Sequence, residues 1–467
     1  MKVLKKLKKN HLFTPMLAFL MIIVTAALWG VTYADGNPGV PYTLNHGYLG
    51  FTYGETVTAD HTATQPQSKL WWHDGYWWAT LWHEGQEEYR IYRLNWGTQV
   101  WQDTGVALDD RPEARTDVLM DSSTGKLYIA SHFKQNNPSS VNGPENWARL
   151  YRFTYDEDSG SFVPDPGSPF SGDNGINIDK TNSVVIDKDS SGRLWATYVS
   201  RPQDTQSDYQ VYFNFSDDDG ETWEGPFSLY DIGFNEAFVE VDDLSSVISY
   251  DGNLALVWTN QADTNLYFAE RVSGMPVDST DGWDVEAISI PEGIDAHINV
   301  KANSAGQIFI AVKTKGDNNG SGPLIGLVTR DTDGSTAFHE YSAAEHNDTR
   351  PIMVVDEANN QVYVFVTGKP EGSKICYKTA AITPNLGNMS FAPGDCGTEF
   401  IEDEAGTYDN FDSATTSKHN VDATTGLVVL ANDDHNGRVY GHNVITIVDD
   451  DPQEEEINIY LPAIFRR

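Results

Sequence analysis

One short pattern occurs seven times along the chain and constrains the fold more than any other feature. Each copy is a turn closed by Gly, or once by Asn, followed by a strand-like run of β-branched and aromatic residues. The turn residues are Gly75, Gly125, Gly192, Gly252, Gly306, Asn360 and Gly426, at intervals of 50, 67, 60, 54, 54 and 66 residues. Asn commonly replaces Gly where φ must be positive, so Asn360 fits the series. A period of this length indicates a repeat architecture.

A second marker, an aromatic residue after a turn, follows with the same period. Its positions are Trp101, Phe162, Trp223, Trp283, Phe338 and Phe391, at intervals of 61, 61, 60, 55 and 53 residues. Further strand-like runs lie ahead of the first marker, as at residues 183–187, and between the two markers, as at residues 209–215. Each unit therefore holds about four short strands, the content of a propeller blade. The sequence predicts an all-β protein, a seven-bladed β-propeller of four-stranded antiparallel blades.

The last unit shows only three clear strands before the acidic run at residues 449–456. A closed ring leaves no long strand edges, so we expect the N-terminal stretch at residues 48–57 to supply the fourth strand. The propeller is predicted to span residues 35–450. Residues 451–467 form an acidic linker and a short apolar tail, which is either a sorting or docking tag or a strand packed on the ring.

The N-terminus has the pattern of a secretory signal. Five Lys precede an apolar run from Met16 to Val31, and small Ala34 stands before Asp35. We expect residues 1–34 to be a signal peptide, with an uncleaved anchor as the alternative. The mature protein is then predicted to be secreted or on the cell surface. No later segment is long and apolar enough to cross a membrane.

The chain is strongly acidic, with 68 acidic and 31 basic residues and a net charge of −37. Removal of residues 1–34, which carry five Lys and no acidic residue, makes the charge −42. Such a field repels phosphate backbones, so nucleic acid is not an expected partner. We expect a monomer.

The two cysteines, Cys376 and Cys396, flank a predicted hairpin. An exported chain meets oxidising conditions, so a disulfide between them is expected, and two unrelated thiols are the alternative.

One motif carries a resemblance to a known family. Ser216, Asp218, Gly220, Thr222 and Trp223 match the Asp box, Ser-x-Asp-x-Gly-x-Thr-Trp. Weaker versions stand at residues 158–162 and 331–338. The chain resembles the sialidase-like, Asp-box propeller superfamily over nearly its whole mature length. Because sialidases of that superfamily have six blades, a six-bladed ring is the alternative architecture. In that family the box is a structural turn distant from the active site. No cofactor is expected, although acidic turns such as residues 217–220 make calcium a candidate structural ion.

In a propeller, the loops that enter each innermost strand meet at one mouth of the channel. The candidates there are Arg115, Asp117, Glu240, His297, Arg350 and Tyr408, joined by His132 and Arg201 after the glycine-marked strands. The resemblance implies catalysis by Asp117 as acid/base and by Tyr408 as nucleophile, activated by Glu240. Arg115 and Arg350 would grip a carboxylate, because guanidinium groups bind it bidentately. His297 stands where a further Arg is expected, and His132 and Arg201 are also assigned to substrate binding.

Three functions remain open, and all are directed at an extracellular glycan or polysaccharide. The first is a sialidase-like glycoside hydrolase, which the resemblance favours. The second is a carbohydrate-binding propeller without catalysis. The third is a polysaccharide lyase, for which His132, Tyr198 and Arg201 are the candidates. Each rests on analogy between folds.

Overall fold

In a computed structural model, the structure describes residues 42–55, 61–62, 66–133, 147–171, 175–177, 181–201, 209–369, 373–404, 406–435 and 437–448. The predicted signal peptide and the C-terminal tail lie outside these residues. None of the helices within the described ranges has the length and apolar character that a membrane crossing requires.

The strands form seven antiparallel sheets that follow one another along the chain. The first strands of the described residues are β1 (Tyr42–Thr43) and β2 (Tyr48–Thr52). Blade one contains β3 (Leu70–His73), β4 (Tyr76–His83), β5 (Glu88–Asn95) and β6 (Val100–Ala107). Blade two contains β7 (Ala114–Asp121), β8 (Lys126–Phe133), β9 (Arg149–Asp156) and β10 (Ser161–Pro164). Blade three contains β11 (Val185–Lys188), β12 (Leu194–Ser200), β13 (Tyr209–Ser216), β14 (Phe227–Ser228) and β15 (Phe238–Val239).

The remaining blades repeat this arrangement. Blade four contains β16 (Ser245–Tyr250), β17 (Asn253–Asn260), β18 (Asn265–Arg271) and β19 (Trp283–Ser289). Blade five contains β20 (Ile294–Ala302), β21 (Ile308–Thr314), β22 (Pro323–Arg330) and β23 (Thr336–Ala343). Blade six contains β24 (Thr349–Asp356), β25 (Gln361–Gly368), β26 (Lys374–Ala381) and β27 (Thr398–Ile401). Blade seven contains β28 (Phe411–Thr415), β29 (Leu427–Asp433) and β30 (Val439–Ile445).

In the described residues, helical structure is confined to single turns between strands. The α-helical turns among them are α1 (Leu229–Ile232) and α2 (Gly316–Asn319). The 3-10 turns are Glu84–Gln86, Asn235–Ala237, Thr280–Gly282, Ala344–His346 and Leu386–Asn388. The predicted seven-bladed, nearly all-β architecture is confirmed.

The N-terminal segment closes the ring, as the sequence predicts. Strand β2 pairs antiparallel with β30, so blade seven is completed by residues from the start of the chain. The Tyr53 hydroxyl donates to the Asp433 carbonyl at 2.8 Å, and the Trp82 amide donates to the Tyr440 hydroxyl at 3.0 Å. These contacts join blade seven to the N-terminal segment and to blade one.

The blades are held by large side chains buried in and between the sheets. Among the least exposed are Trp71, Trp77, Trp78, Trp82 and Trp258. Burial of each such side chain contributes roughly 1.5–3 kcal/mol. The turns that precede the second strands need positive φ, and both Gly75 (77°) and Asn360 (51°) supply it.

The turn predicted from the Ser216–Trp223 motif has the expected geometry. The Asp218 carboxylate accepts from the Thr222 amide at 2.8 Å and from the Thr222 hydroxyl at 2.6 Å. Gly220 has φ of 87°, and Trp223 is buried in its blade. The turn therefore orders the hairpin between the third and fourth strands and has a structural role.

Candidate functional site

The central channel has two mouths. We call the end at which the innermost strands β3, β7, β11, β16, β20, β24 and β28 begin the upper mouth, and the end at which they finish the lower mouth. The Asp218 turn connects outer strands at the lower end.

Three neighbouring innermost strands are bulged where they enter the upper mouth. The pairing of β20, β24 and β28 with the next strand of each blade changes register after Ile294, after Thr349 and after Asp412. The innermost strands of the other four blades pair in regular register. A bulge re-aims nearby side chains and is common beside active sites. Blades five to seven therefore present the most altered strand geometry at this mouth.

Arg350 lies in the bulge of blade six in an unusual backbone conformation. Its φ is 52°, a left-handed value that a non-glycine residue adopts only when its surroundings hold it there. Its Nη1 donates to Asp412 Oδ2 at 2.5 Å, and the Thr367 hydroxyl donates to Asp412 Oδ1 at 2.9 Å. Asp412 is therefore the group that orients the guanidinium of Arg350.

His297 lies in the bulge of blade five beside two charged partners. Its Nδ1 is 2.5 Å from Asp295 Oδ1, and Lys313 Nζ is 3.1 Å from Asp295 Oδ2. Burial would raise the pKa of Asp295, but the hydrogen bond from His297 and the charge of Lys313 hold it at about 2. Because an ionised carboxylate can only accept, Nδ1 of His297 carries a proton and Nε2 is left for another partner.

Asp348 adds a buried carboxyl group beside Arg350 at the upper mouth. Its side chain is buried, with 1% exposure, and neither carboxylate oxygen has a hydrogen-bond partner of good geometry among the described residues. Burial raises the pKa of Asp348 to about 6. A carboxyl group with such a pKa can hold a proton and release it near neutral pH.

These groups surround one cavity of about 260 Å³. Its lining residues are His297, Lys313, Asn347, Asp348, Thr349, Arg350 and Lys369. Lys369 is half-buried, and no carboxylate of the described residues pairs with it. The cavity thus combines three cationic side chains, an imidazole and a protonatable carboxyl group. We call it the upper site.

Three of the predicted site residues lie elsewhere, inside the channel wall. Arg115, Asp117 and His132 have exposures of 1%, 0% and 0%. Asp117 accepts from the amides of Ser68 and Ile186, each at 2.8 Å, and from Lys418 Nζ at 2.7 Å. Its carboxylate therefore holds three parts of the ring together. A catalytic role would require substrate to displace one of these partners.

His132 is enclosed beside cations. Gln67 Nε2 donates to its Nε2 at 3.0 Å. Burial, and then the charges of Lys69 and Arg115, lower the pKa of His132 well below its ordinary value. The imidazole is therefore neutral in the folded protein.

The other predicted residues lie on the upper side but outside the cavity. Glu240 is exposed on the connection between blades three and four, and its amide donates to Asp243 Oδ2 at 2.7 Å. Tyr408 is half-buried before β28 and packs on the backbone of Gly437. Arg201 is half-buried just after β12. None of the three borders the upper site, which holds only His297 and Arg350 of the predicted set.

Sequence reasoning did not identify Lys313, Asp348 and Lys369. Lys313 carried a usable signal, since it directly follows the apolar run at residues 308–312 and is the only charged residue in the strand at residues 308–314. Asp348 also carried one, because it stands two residues before Arg350 at the entrance to the same strand. Their convergence depends on the ring and is not visible in the chain.

The two cysteines are bonded in the structure. Cys376 on β26 and Cys396 ahead of β27 form a disulfide with Cα atoms 5.5 Å apart. The bridge ties the third strand of blade six to the segment that leads into the fourth.

A separate group of possible metal ligands lies near blades six and seven. Ligand atoms of His46, Glu399, Glu402 and Glu404 lie within 4.8 Å of one another. Lys374 contacts both Glu399 and Glu402. Because its ammonium already serves as the counterion there, this cluster gives no independent support for a metal.

Comparisons with known proteins agree with the fold. No family model matches the chain, and no curated protein matches it. Polysaccharide lyase Uly1 has 10% identity and a TM-score of 0.50, over 87% of this chain and 94% of that chain. An ulvan lyase of family PL25 has 11% identity and a TM-score of 0.48, over 84% and 96%. The intramolecular trans-sialidase from Ruminococcus gnavus has 13% identity and a TM-score of 0.40, over 86% and 98%. At these identities the likeness concerns the fold alone.

Proposed function

We propose that this protein is an exported enzyme that acts on a carboxylated polysaccharide at the upper site, by β-elimination. The observation that carries the proposal is the grouping of Arg350, Lys313, Lys369, His297 and Asp348 around one cavity. A polysaccharide lyase with a similar fold supports a polysaccharide substrate by analogy.

The cations account for recognition. The chain carries a net charge of −37, so an anionic sugar is held only where local cations outweigh the overall field. Arg350 and Lys313 already have carboxylate partners, whereas no described carboxylate pairs with Lys369. A uronate carboxylate placed among these three side chains would be neutralised by charge-assisted hydrogen bonds.

His297 and Asp348 account for proton transfer. Nε2 of His297 is available to remove the C5 proton of a uronate residue, while Asp295 stabilises the imidazolium that forms. The electron pair forms the C4–C5 double bond as the C4–O bond breaks. Asp348, whose pKa is raised to about 6, donates the proton that the departing oxygen needs. Neutralisation of the uronate carboxylate by the cations stabilises the intermediate charge.

Glycoside hydrolysis is the second candidate, and it rests on a different observation. Asp348 lines the same cavity as His297, which contacts Asp295, and the two carboxyl groups have pKa values of about 6 and about 2. Two carboxyl groups with separated pKa values are the arrangement that glycosidases use for an acid and a stabilising carboxylate. Against this candidate, Asp295 does not border the cavity and already contacts His297 and Lys313.

Product analysis separates these functions. The mature protein would be incubated with uronate polymers, sialosides and neutral oligosaccharides, together with the variants His297→Ala and Asp348→Asn. We expect products with the ultraviolet absorbance of an unsaturated uronate, and loss of at least about 100-fold in rate for either variant. His83→Ala, a change of a partly exposed histidine on blade one, serves as the control and should retain full activity.

Products with new reducing ends but without the ultraviolet absorbance would show that the reaction is hydrolysis and not elimination. Binding of a carboxylated glycan with no product would support a lectin-like protein. Full activity of a folded His297→Ala variant would contradict the proposed base.

A further inference from the structure

A second and larger cavity lies at the opposite end of the channel. Its volume is about 830 Å³, within the range of cavities that hold small ligands. The ends of the innermost strands of blades two to five border it, together with the connection between β28 and β29. It shares no lining residue with the upper site.

The wall of this cavity is fixed by the connection at residues 416–426. Ser417 pairs with Leu70 of blade one, and Val421 pairs with Asp356 of blade six. Lys418 Nζ donates to Asp117 Oδ2 at 2.7 Å. The connection is therefore held by three blades, so the cavity is formed before any ligand arrives.

Trp72 supplies a flat apolar surface in this cavity. It is half-buried, whereas its neighbours Trp71, Trp77 and Trp78 are buried in the blade. The rings of Trp72 and Trp77 are 6.0 Å apart at 64°, and Trp77 Nε1 donates to the Thr425 carbonyl at 2.7 Å. An indole that is held by its neighbours and partly exposed to a cavity can stack on the C–H face of a sugar ring.

Lys301 supplies an amino group and Asp187 a carboxyl group, and the two side chains do not pair with each other. Lys301 is 3% exposed, and Nζ donates to the Ser417 carbonyl at 2.8 Å. Asp187 accepts from the amides of Lys188 at 2.8 Å and Ser249 at 2.7 Å. Both side chains border the cavity, yet among the described residues no ion pair joins them. Two neighbouring hydroxyl groups of one sugar can hydrogen-bond to these side chains, one to the amino group of Lys301 and the other to the carboxyl group of Asp187.

The charge balance favours an uncharged ligand. The ammonium groups of Lys418 and Lys188 are paired with Asp117 at 2.7 Å and with Asp121 at 3.1 Å. Burial lowers the pKa of Lys301 to about 7 and raises the pKa of Asp187, so this pair adds little net charge and the cavity offers no net positive charge to an anion.

We propose that the lower cavity is a second carbohydrate site, which takes a neutral sugar unit. The ring stacks on Trp72, and a vicinal pair of hydroxyl groups lies between Lys301 and Asp187. The site is separate from the upper site and does not depend on catalysis there.

Binding of neutral sugars tests this proposal directly. D-Glucose, D-galactose, L-rhamnose and D-xylose would be titrated against the full chain, with saturation-transfer NMR and tryptophan fluorescence as readouts. We expect at least one sugar to bind, and Trp72→Ala and Asp187→Asn each to weaken it at least 10-fold. Two control variants should leave binding unchanged. Tyr76→Ala removes an exposed aromatic side chain of the same blade, and Arg350→Ala changes the upper site.

Circular dichroism would establish that each variant is folded. If Trp72→Ala does not fold, Asp187→Asn still tests the proposal, because Asn has nearly the same shape as Asp. If none of the four sugars binds at concentrations up to about 0.1 M, the proposal is wrong. Binding that is unaffected by both changes, or that is lost on Arg350→Ala, would also overturn it.

Discussion

At the scale of single residues, the catalytic role proposed for Asp348 is opposed to the stability of the protein. Its carboxyl group is buried without a strong partner, an arrangement that costs folding free energy whenever the group is ionised. An aspartate exposed to solvent would not reduce the folding free energy at neutral pH, but it would be ionised and could not donate a proton. Retention of an unfavourable carboxyl group at a cavity is typical of functional sites.

Asp348→Asn should stabilise the protein while it reduces activity. Burial raises the pKa of Asp348 from 3.8 to about 6, so the folded state binds more protons than the unfolded state between these values. The stability that comes from this stronger proton binding is therefore fully present below pH 3.8, and it is lost as pH rises through 6, where the buried group ionises. At pH 7.5 we expect the variant to be more stable on the order of 3 kcal/mol, and to lose this advantage toward pH 4.

Urea unfolding at several pH values measures this difference. A variant that is less stable than the wild type at pH 7.5 would show that the carboxylate has a stabilising partner. Equal activity of the two proteins would remove Asp348 from the mechanism.

At the scale of elements, the blades were predictable and the site was not. The fold follows from a local signal repeated in every unit, a Gly or Asn turn before an apolar strand, and Asn360 has the positive φ that its place in the series requires. Ring closure by β2 was predictable because the last unit lacked a strand. Arg350 and His297 were identified because they begin innermost strands.

The remaining site residues depend on packing that no local pattern records. Lys313 lies on a second strand, Lys369 follows another, and Asp348 ends a turn, so only the ring brings them together. Conversely, the positions of Asp117 and His132 in the sequence suggested a functional site, yet the neighbouring blades bury both side chains completely. Burial between blades is a property of the tertiary structure.

The disulfide should stabilise blade six. It closes a segment with a sequence separation of 20 residues. In the chain-entropy model, a loop of this length contributes about 3 kcal/mol. We expect the double variant Cys376→Ala and Cys396→Ala to lose about that free energy of unfolding. Thiol labelling of native and reduced wild-type protein is the accompanying check, and two reactive thiols in the native protein would contradict the bridge.

At the scale of the whole molecule, the acidic net charge and the predicted export bear on the same question, which is how the protein recognises its ligand. An exported, glycan-directed protein with a charge of −42 would be repelled by anionic polymers except at a cationic site. This is the physical reason for assigning recognition to a cluster of cations and not to the general surface.

The secreted protein should begin close to Asp35. Expression of the full chain with its N-terminus intact, followed by mass spectrometry of the exported material, measures the cleavage point. A mature protein that starts at Met1 would contradict the predicted signal peptide and would favour the uncleaved anchor.

The central claim is that Arg350 and its neighbours hold the carboxylate of a polysaccharide at the upper site. It is tested most directly by comparing a uronate polymer with its carboxyl-reduced form, using wild-type protein, Arg350→Ala and Arg193→Ala. Arg193 is a matched control, because its side chain is 28% exposed against 27% for Arg350 and is also paired with an aspartate.

We expect Arg350→Ala to weaken binding of the carboxylated polymer at least about 30-fold, equivalent to about 2 kcal/mol, and to leave the reduced polymer unaffected. Arg193→Ala should match the wild type on both polymers. If a folded Arg350→Ala variant binds the carboxylated polymer as tightly as the wild type, or loses affinity equally for both polymers, carboxylate recognition at the upper site is wrong.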